Sequence, residues 1–367
     1  MSTLAWTLYR VGLSAHNREE DEEDNEARKL FRQSLALMEN IERRGGHPRG
    51  RYTVLADLGE SLLLGGDYAG ARRAYEESLA LRRAFGSKPE VADLLYRLAS
   101  VTRCLGDHRE ATQMVGESLV IWRNHDFTGG VTDCLRELGA LLCEQGQFDL
   151  ARYHMEESLR LYRQQNRTEC AAAALGGLGD IACRRGDLAG ARALYQEGLV
   201  VWREKDHRRW TANFLRRLGA VAFYQGDLMR AQFLGVESIT LFDQSPAPLG
   251  RAAALHLIAR IALAQNRLSD AAVHFRDSLA LRRQAAHRLG LIESWEGLAA
   301  LAALQGRAEH AVRFFAAAHA HRTALGTPLP PVDMPAQVQR IADVRTALPG
   351  AKAFEAAWSE GRTWPVE

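Results

Sequence analysis

His319 and His321, one alanine apart, could begin a metal site, because two imidazoles so spaced can approach one ion. No third ligand accompanies them, so they read as surface histidines and no metal is expected. Cys104, Cys134, Cys143, Cys170 and Cys183 could carry thiol chemistry. They form no C-x-x-C pair, and an odd number at mixed positions suits reduced thiols buried as small core residues. Gly176-Gly177-Leu178-Gly179-Asp180 is rich enough in glycine to cradle a phosphate, but no strand pattern precedes it. Close helix packing explains those glycines. The sequence contains no G-x-x-x-x-G-K-S/T, H-E-x-x-H or G-x-S-x-G. Arg185-Gly186-Asp187 and the sequon at Asn166-Arg167-Thr168 read as turn sequence without further meaning. The expected chemistry is therefore recognition, with no catalytic residue and no cofactor.

The elements that position any recognising residue come from an internal repeat. Gly66-Asp67, Gly106-Asp107, Gly146-Gln147, Gly186-Asp187, Gly226-Asp227, Asn266-Arg267 and Gly306-Arg307 succeed one another every 40 residues. An alanine follows each at a fixed distance, from Ala71 to Ala311. Further on comes a small residue: Ser78, Ser118, Ser158, Gly198, Ser238, Ser278, Ala318. Leu58-Gly59 and its copies stand upstream. Each unit reads as helix, tight turn, helix, with a buried apolar stripe at helical spacing. Glycine relieves the turn and aspartate caps the second helix. Arg83, Arg123, Arg163, Arg203 and Arg283 near the end of that helix suit its dipole. In the unit from Arg208 to Pro246, Gly235 replaces the large residue found at Tyr75, Tyr195 or Phe275. That predicts a soft unit unless Phe233 swings in to fill the gap.

Trp295-Glu296-Gly297-Leu298-Ala299, with Ala71 to Tyr75, Ala191 to Tyr195 and Ala311 to Phe315, resembles the tetratricopeptide repeat pattern. The units differ from that family in their 40-residue length and in lacking the closing proline. A longer second helix accounts for both. The resemblance implies an all-α, tetratricopeptide-like α-solenoid, a right-handed superhelix of about eight helix-turn-helix repeats. Residues 1–47 form a first, divergent repeat, carried by Tyr9-Arg10-Val11-Gly12, Ala27 to Phe31 and Ser34-Leu35. Its turn is longer by three residues and holds the acidic run Glu19 to Asp24, read as a solvated loop. The link that follows is longer by four residues and passes through Gly45, Gly46 and Pro48. Residues 48–327 hold seven repeats, and residues 328–367 form a C-terminal helical cap.

Pro328-Leu329-Pro330-Pro331 ends the period, and Met334, Val338, Ile341, Val344 and Leu348 then recur at helical spacing. From Ala311 to Trp364 the chain also resembles the tail of bacterial transcriptional regulators and signal-transduction ATPases with tetratricopeptide arms. That resemblance implies a regulatory context. A net charge of +2 is too small to suggest a nucleic-acid binder on charge alone, so no direct nucleic-acid partner is expected, and basic residues that are nearly all arginine fit a GC-rich bacterial gene. With no basic-then-apolar leader and no apolar run of ~20 residues, a soluble, cytoplasmic protein without membrane contact is expected.

In the tetratricopeptide family the first helix of each unit lines the concave face. By that resemblance Tyr96, Arg136, Gly176, Asp180, Asn213, Arg216, Phe223, His256 and Arg260 line the groove. Gly176, with Ala173, makes a low floor between Arg136 and Arg216. The lining suits an acidic or mixed-charge peptide, free or part of a protein partner. The other reading is a ligand-sensing arm that binds a small inducer, which a deep closed pocket would favour. The oligomeric state is not written in the sequence.

Overall fold

The computed structural model describes residues 2–16, 21–45, 49–245 and 247–365. Among the described residues there are eighteen helices and no strand. The chain opens with α1 (Ser2–His16), α2 (Asp21–Arg43), α3 (Arg49–Leu64), α4 (Tyr68–Phe85), α5 (Lys88–Cys104) and α6 (His108–Asn124). Then come α7 (Thr128–Glu144), α8 (Phe148–Gln164), α9 (Thr168–Arg185), α10 (Leu188–Glu204), α11 (Arg208–Tyr224) and α12 (Leu228–Phe242). The last six are α13 (Pro248–Ala264), α14 (Leu268–Gln284), α15 (Arg288–Leu304), α16 (Ala308–Leu325), α17 (Met334–Ala347) and α18 (Ala351–Gly361). Two compact units divide the chain, Met1–Cys134 and Leu135–Glu367.

In the first unit the repeated serine joins the two helices of each pair. Ser78 and Ser118 donate to the carbonyls of Tyr52 and Ala92, 2.7 Å away and 26 residues back. Ser34 does the same to Ala5 at 2.8 Å across an offset of 29, and α2 begins six residues before Ala27 where α4 begins three before Ala71, so the three extra residues lengthen the second helix. Glu19 and Glu20 of the acidic run lie outside the described residues, as do Gly46 and Pro48 of the link. Asp21 to Asp24 are no loop, because they form the start of α2. Acidic residues favour that position through the exposed N–H groups of a helix start.

The second unit repeats the device: Ser238 and Ser278 donate to Ala212 and Ala252 at 2.8 and 2.7 Å. The turn residues Gly146, Gly186, Gly226, Asn266 and Gly306 all have positive φ. A second periodic turn, between repeats, escaped the sequence reading because it carries no glycine. Asp126, Asn166, Asp206 and Ala286 have φ of 52, 55, 50 and 50°. Asp187 and Asp227 cap their helices onto Gly190 and Arg230 at 2.9 and 3.1 Å, as Asp67 caps Gly70 in the first unit at 2.8 Å. Asp107 does not cap, and instead binds Arg72 at 3.2 Å. The recurrent arginines do more than face a dipole. Arg83 reaches Glu117 at 2.9 Å, Arg163 reaches Glu197 at 2.6 Å and Arg203 reaches Glu237 at 3.7 Å, each pair joining successive repeats.

Large ring residues are seated on small ones. Tyr195 lies on Gly179 and Phe275 on Gly297. The gap opposite Gly235 is filled, but not by Phe233, which is 68% exposed. Ile258 from α13 fills it, since a Cβ on Gly235 would stand 2.6 Å from its Cδ1. The expected softness of that unit therefore has no cavity behind it. After α16, residues 327–330 are irregular and 331–333 form a turn leading into α17, and α17 and α18 cover the last hairpin. Phe315 packs there with Val344, Ile341, Ala357 and Phe354. His321, expected at the surface, is half-buried under Trp295, and its Nε2 is 2.8 Å from the Trp364 carbonyl.

Candidate functional site

The described residues offer no group of three or more metal-ligating side chains, and no helix long and apolar enough to cross a membrane. What the second unit does gather is charge on the first helices of its pairs. Tyr195 on α10 packs on Gly179, and its hydroxyl donates to Asp180 at 2.7 Å. Arg217 on α11 grips the same carboxylate with two N–H groups at 2.9 Å each. Burial alone would raise the Asp180 carboxyl, but Arg217 foremost, with the Tyr195 hydrogen bond, holds it below its usual range. Asp180 is thereby committed to the framework.

Arg216, the next residue, is different. Among the described residues its side chain makes no hydrogen bond or ion pair, and its buried Nε has no acceptor. Burial, then the like charge of Arg217, hold its guanidinium below its ordinary value. Unpaired buried donors are costly, roughly 1–3 kcal/mol each, so such a place favours an incoming acceptor. Arg184 on α9 differs: burial would lower its guanidinium, but Cys143, Glu144 and Glu293 hold it above its ordinary value.

Arg260 on α13 stacks over Phe223 at 4.7 Å and over Tyr224 at 5.1 Å. It donates to the Tyr224 hydroxyl at 3.1 Å and to Asp333 at 2.7 Å. Tyr224 donates to both Asp333 oxygens at 2.9 and 3.0 Å. Asp333 ends the turn that joins α16 to α17. Val332 in that turn donates its amide to the Arg184 carbonyl at 3.1 Å. Pro328 lies against the α7–α8 turn, where a Cβ on Gly146 would stand 2.7 Å from its Cγ. The Cys183 thiol is pushed up to about 12 by burial, with Asp180 and Asp333 adding to it, so it is no nucleophile.

Toward α15, Arg282 is almost fully buried. It donates to the Gly290 carbonyl at 2.7 Å, to Ser294 at 2.8 Å and to Glu293 at 2.9 Å. Burial would raise the Glu293 carboxyl, but the nearby positive charge, Arg282 foremost, brings it down to about 2. His256 is driven well below its ordinary value, chiefly by burial and then by Arg282, and its imidazole stays neutral.

Arg216, Phe223, His256 and Arg260 thus meet in one region of the second unit, with Asp180 beside them. Asn213 turns its amide back to the Arg209 carbonyl of its own helix at 3.1 Å. Arg136 lies near Glu137 at 3.9 Å. Gly176 is no groove floor: it is buried, and a Cβ there would stand 3.0 Å from Phe214 Cζ. Gly198 yields on the other side of the same ring, which is why that repeat lacks its serine. Tyr96 belongs to the first unit, in an open cleft of about 690 Å³ with Glu60, Arg97, Trp122 and Asp133. Sequence reading missed Arg184, Arg217, Tyr224, Arg282 and Asp333. Arg217 and Arg282 repeat Arg97 and Arg82 at the 40-residue period, and that signal was available. Asp333 lies outside the period and gave none.

A tetratricopeptide repeat model matches residues 51–124, 90–164, 132–204 and 169–244, together more than half of the chain. No curated protein matches the sequence. Among solved structures, a Rap protein complexed with competence and sporulation factor aligns with TM-score 0.65 and 15% identity, covering 88% of this chain and 97% of its own. The Rap conjugation gene regulator of plasmid pLS20, in complex with a Phr peptide, gives 0.66 and 14%, covering 88% and 95%. NprR in complex with its cognate peptide NprX gives 0.61 and 14%, covering 77% and 79%. At these identities the likeness is one of fold.

Proposed function

The chain belongs to the tetratricopeptide repeat family, and from that premise we propose that it is a non-catalytic scaffold or regulatory arm. It holds an extended peptide, free or part of a protein, across α9, α11 and α13 of its second unit. The observation that carries this reading is Arg216. Its guanidinium has a buried Nε with no acceptor among the described residues. An arginine fork without an acid is matched by a carboxylate, which makes the partner acidic or mixed in charge. The pLS20 regulator and NprR, which share the fold, are complexed with peptides, and this supports the choice of ligand class. Five free cysteines, three of them buried, suit a reducing cytoplasm.

The test is retention of cytosolic proteins and peptides by the immobilised full chain and by its Arg184→Glu, Arg216→Glu variant. The reading expects at least one retained species to be lost while the protein stays folded, with Arg216→Glu alone as the variant that leaves the melting temperature unchanged, since its buried Nε has no acceptor among the described residues. Identical retention by the two chains refutes it.

A further inference from the structure

Asp333 sits at the N-cap of α17, where an aspartate ordinarily accepts a hydrogen bond from the first turn of its helix. It makes no such bond. Its carboxylate is spent on Arg260 at 2.7 Å and on the Tyr224 hydroxyl at 2.9 and 3.0 Å. The guanidinium itself lies against the rings of Phe223 and Tyr224, which meet each other edge to face. A planar cation held by two rings, with a hydroxyl aimed at the same point, is a built receptor for one carboxylate. The segment delivering that carboxylate is rich in proline, turns at residues 331–333, and is joined to α9 through one backbone hydrogen bond, Val332 to Arg184.

We propose that Arg260, Tyr224 and Phe223 form a carboxylate subsite for an acidic residue of an extended peptide, and that Asp333 fills it as an internal stand-in. The incoming peptide displaces the 328–333 segment from the subsite and meets Arg216 beside it. This rests on the peptide-binding reading above and adds the residue that the peptide must carry. Charge favours exchange. After Asp180 is paired with Arg217 and Asp333 with Arg260, the buried Nε of Arg216 still has no acceptor among the described residues. A ligand with more than one acidic group therefore satisfies more of this surface than Asp333 does alone.

The stand-in also sets the affinity. A ligand competing with a tethered segment binds more weakly by the fraction of time the site is open. A short tether gives effective concentrations on the order of millimolar, so an untethered copy of the segment binds weakly and NMR titration is the suitable readout. The probe is a blocked synthetic peptide of residues 328–333, Pro-Leu-Pro-Pro-Val-Asp. It is titrated into the full chain and into its Asp333→Lys variant, whose lysine Arg260 repels. Asp333→Asn serves as a second, nearly isosteric variant should the lysine disturb folding. The expected result is binding to either variant about 10-fold tighter than to the unaltered chain. A probe ending in asparagine should lose that binding, and so should the variant chain when Arg260→Gln is added. Equal binding to the unaltered and variant chains overturns the proposal, as does absence of binding to both variants at millimolar probe. The two readings fail separately. A partner lost through Arg184→Glu, Arg216→Glu while the probe ignores Asp333 leaves the peptide-binding role standing and removes only the subsite.

Discussion

The first unit holds Glu60 between the Tyr75 hydroxyl at 3.0 Å and Arg97 at 2.7 Å. The second holds Asp180 between Tyr195 at 2.7 Å and Arg217 at 2.9 Å. The three positions are offset by three repeats, so the framework is the same, and what surrounds it is not. In the first unit the triad borders an open cleft lined by Glu60, Glu90, Asp93 and Asp133 against Arg82 and Arg97. In the second the next repeats bring Arg216, Arg260 and Arg282, and a segment outside the repeat lies over them. The lesson is that the period builds a rigid support. The residues beside its fixed positions, and the chain that returns to it, decide what the support binds.

The comparison breaks most visibly at the buried arginines. Arg282→Ala strands Glu293 and should cost about 3–5 kcal/mol in denaturant unfolding. Arg82→Ala in the first unit should cost less, because its acid, Asp93, is 3.8 Å away and 43% exposed. Equal losses would mean that the two units do not differ in how they bury charge. Gly198→Ser restores the serine of the other repeats but collides with Phe214, so about 1–3 kcal/mol should be lost. Phe214→Val, the residue type of Val54 in the same register, should recover most of it. Additive effects in that double-mutant cycle would show that Gly198 serves something other than the ring.

Acid should act on the second unit in two stages. The folded His256 value lies below the ordinary 6.5, so the unfolded chain takes up the proton first and stability falls as pH drops below that value. The folded Glu293 value of about 2 lies below its ordinary 4.5, so its contribution is complete above 4.5 and is lost as pH falls toward 2. Melting temperatures followed downward from neutral pH should decline in both windows. His256→Asn should flatten only the upper one, and an unchanged upper slope in that variant contradicts the assignment. The smallest effect belongs to Ala286, whose φ of 50° is strained for a residue with a Cβ. Ala286→Gly should stabilise by about 0.5–1 kcal/mol, read as a rise in the denaturant midpoint.

The repeat was legible because its turns, seats and serines are local and recur. Gly66, Ser78 and Tyr75 each have a fixed partner at a fixed distance along the chain, so counting finds them. Gly176 was misread for the same reason: its role depends on Phe214, a large residue at a place where other repeats carry Leu94, Ala174 or Ala254. Ile258 filling the space at Gly235 was hidden likewise, since a neighbouring repeat supplied the volume. Arg216 and Arg260 were reached by register alone. Arg184 lay one residue past the third lining position, and Tyr224 beside Phe223 was passed over. Asp333 could not be found by any period, because the segment that carries it meets α13 only in the folded chain.

The central claim is that recognition resides in the second unit and not in the equally polar cleft of the first. It is tested most directly by matched charge reversals in the full chain, Arg216→Glu in the second unit and Asp93→Arg in the first. Retention of the same cytosolic partner is measured for both, with melting temperature as the control on folding. The account predicts that Arg216→Glu abolishes retention while Asp93→Arg leaves it within about twofold, because rim charges outside a site add little to affinity. Loss through Asp93→Arg with retention intact in Arg216→Glu would place the partner on the first unit and contradict it.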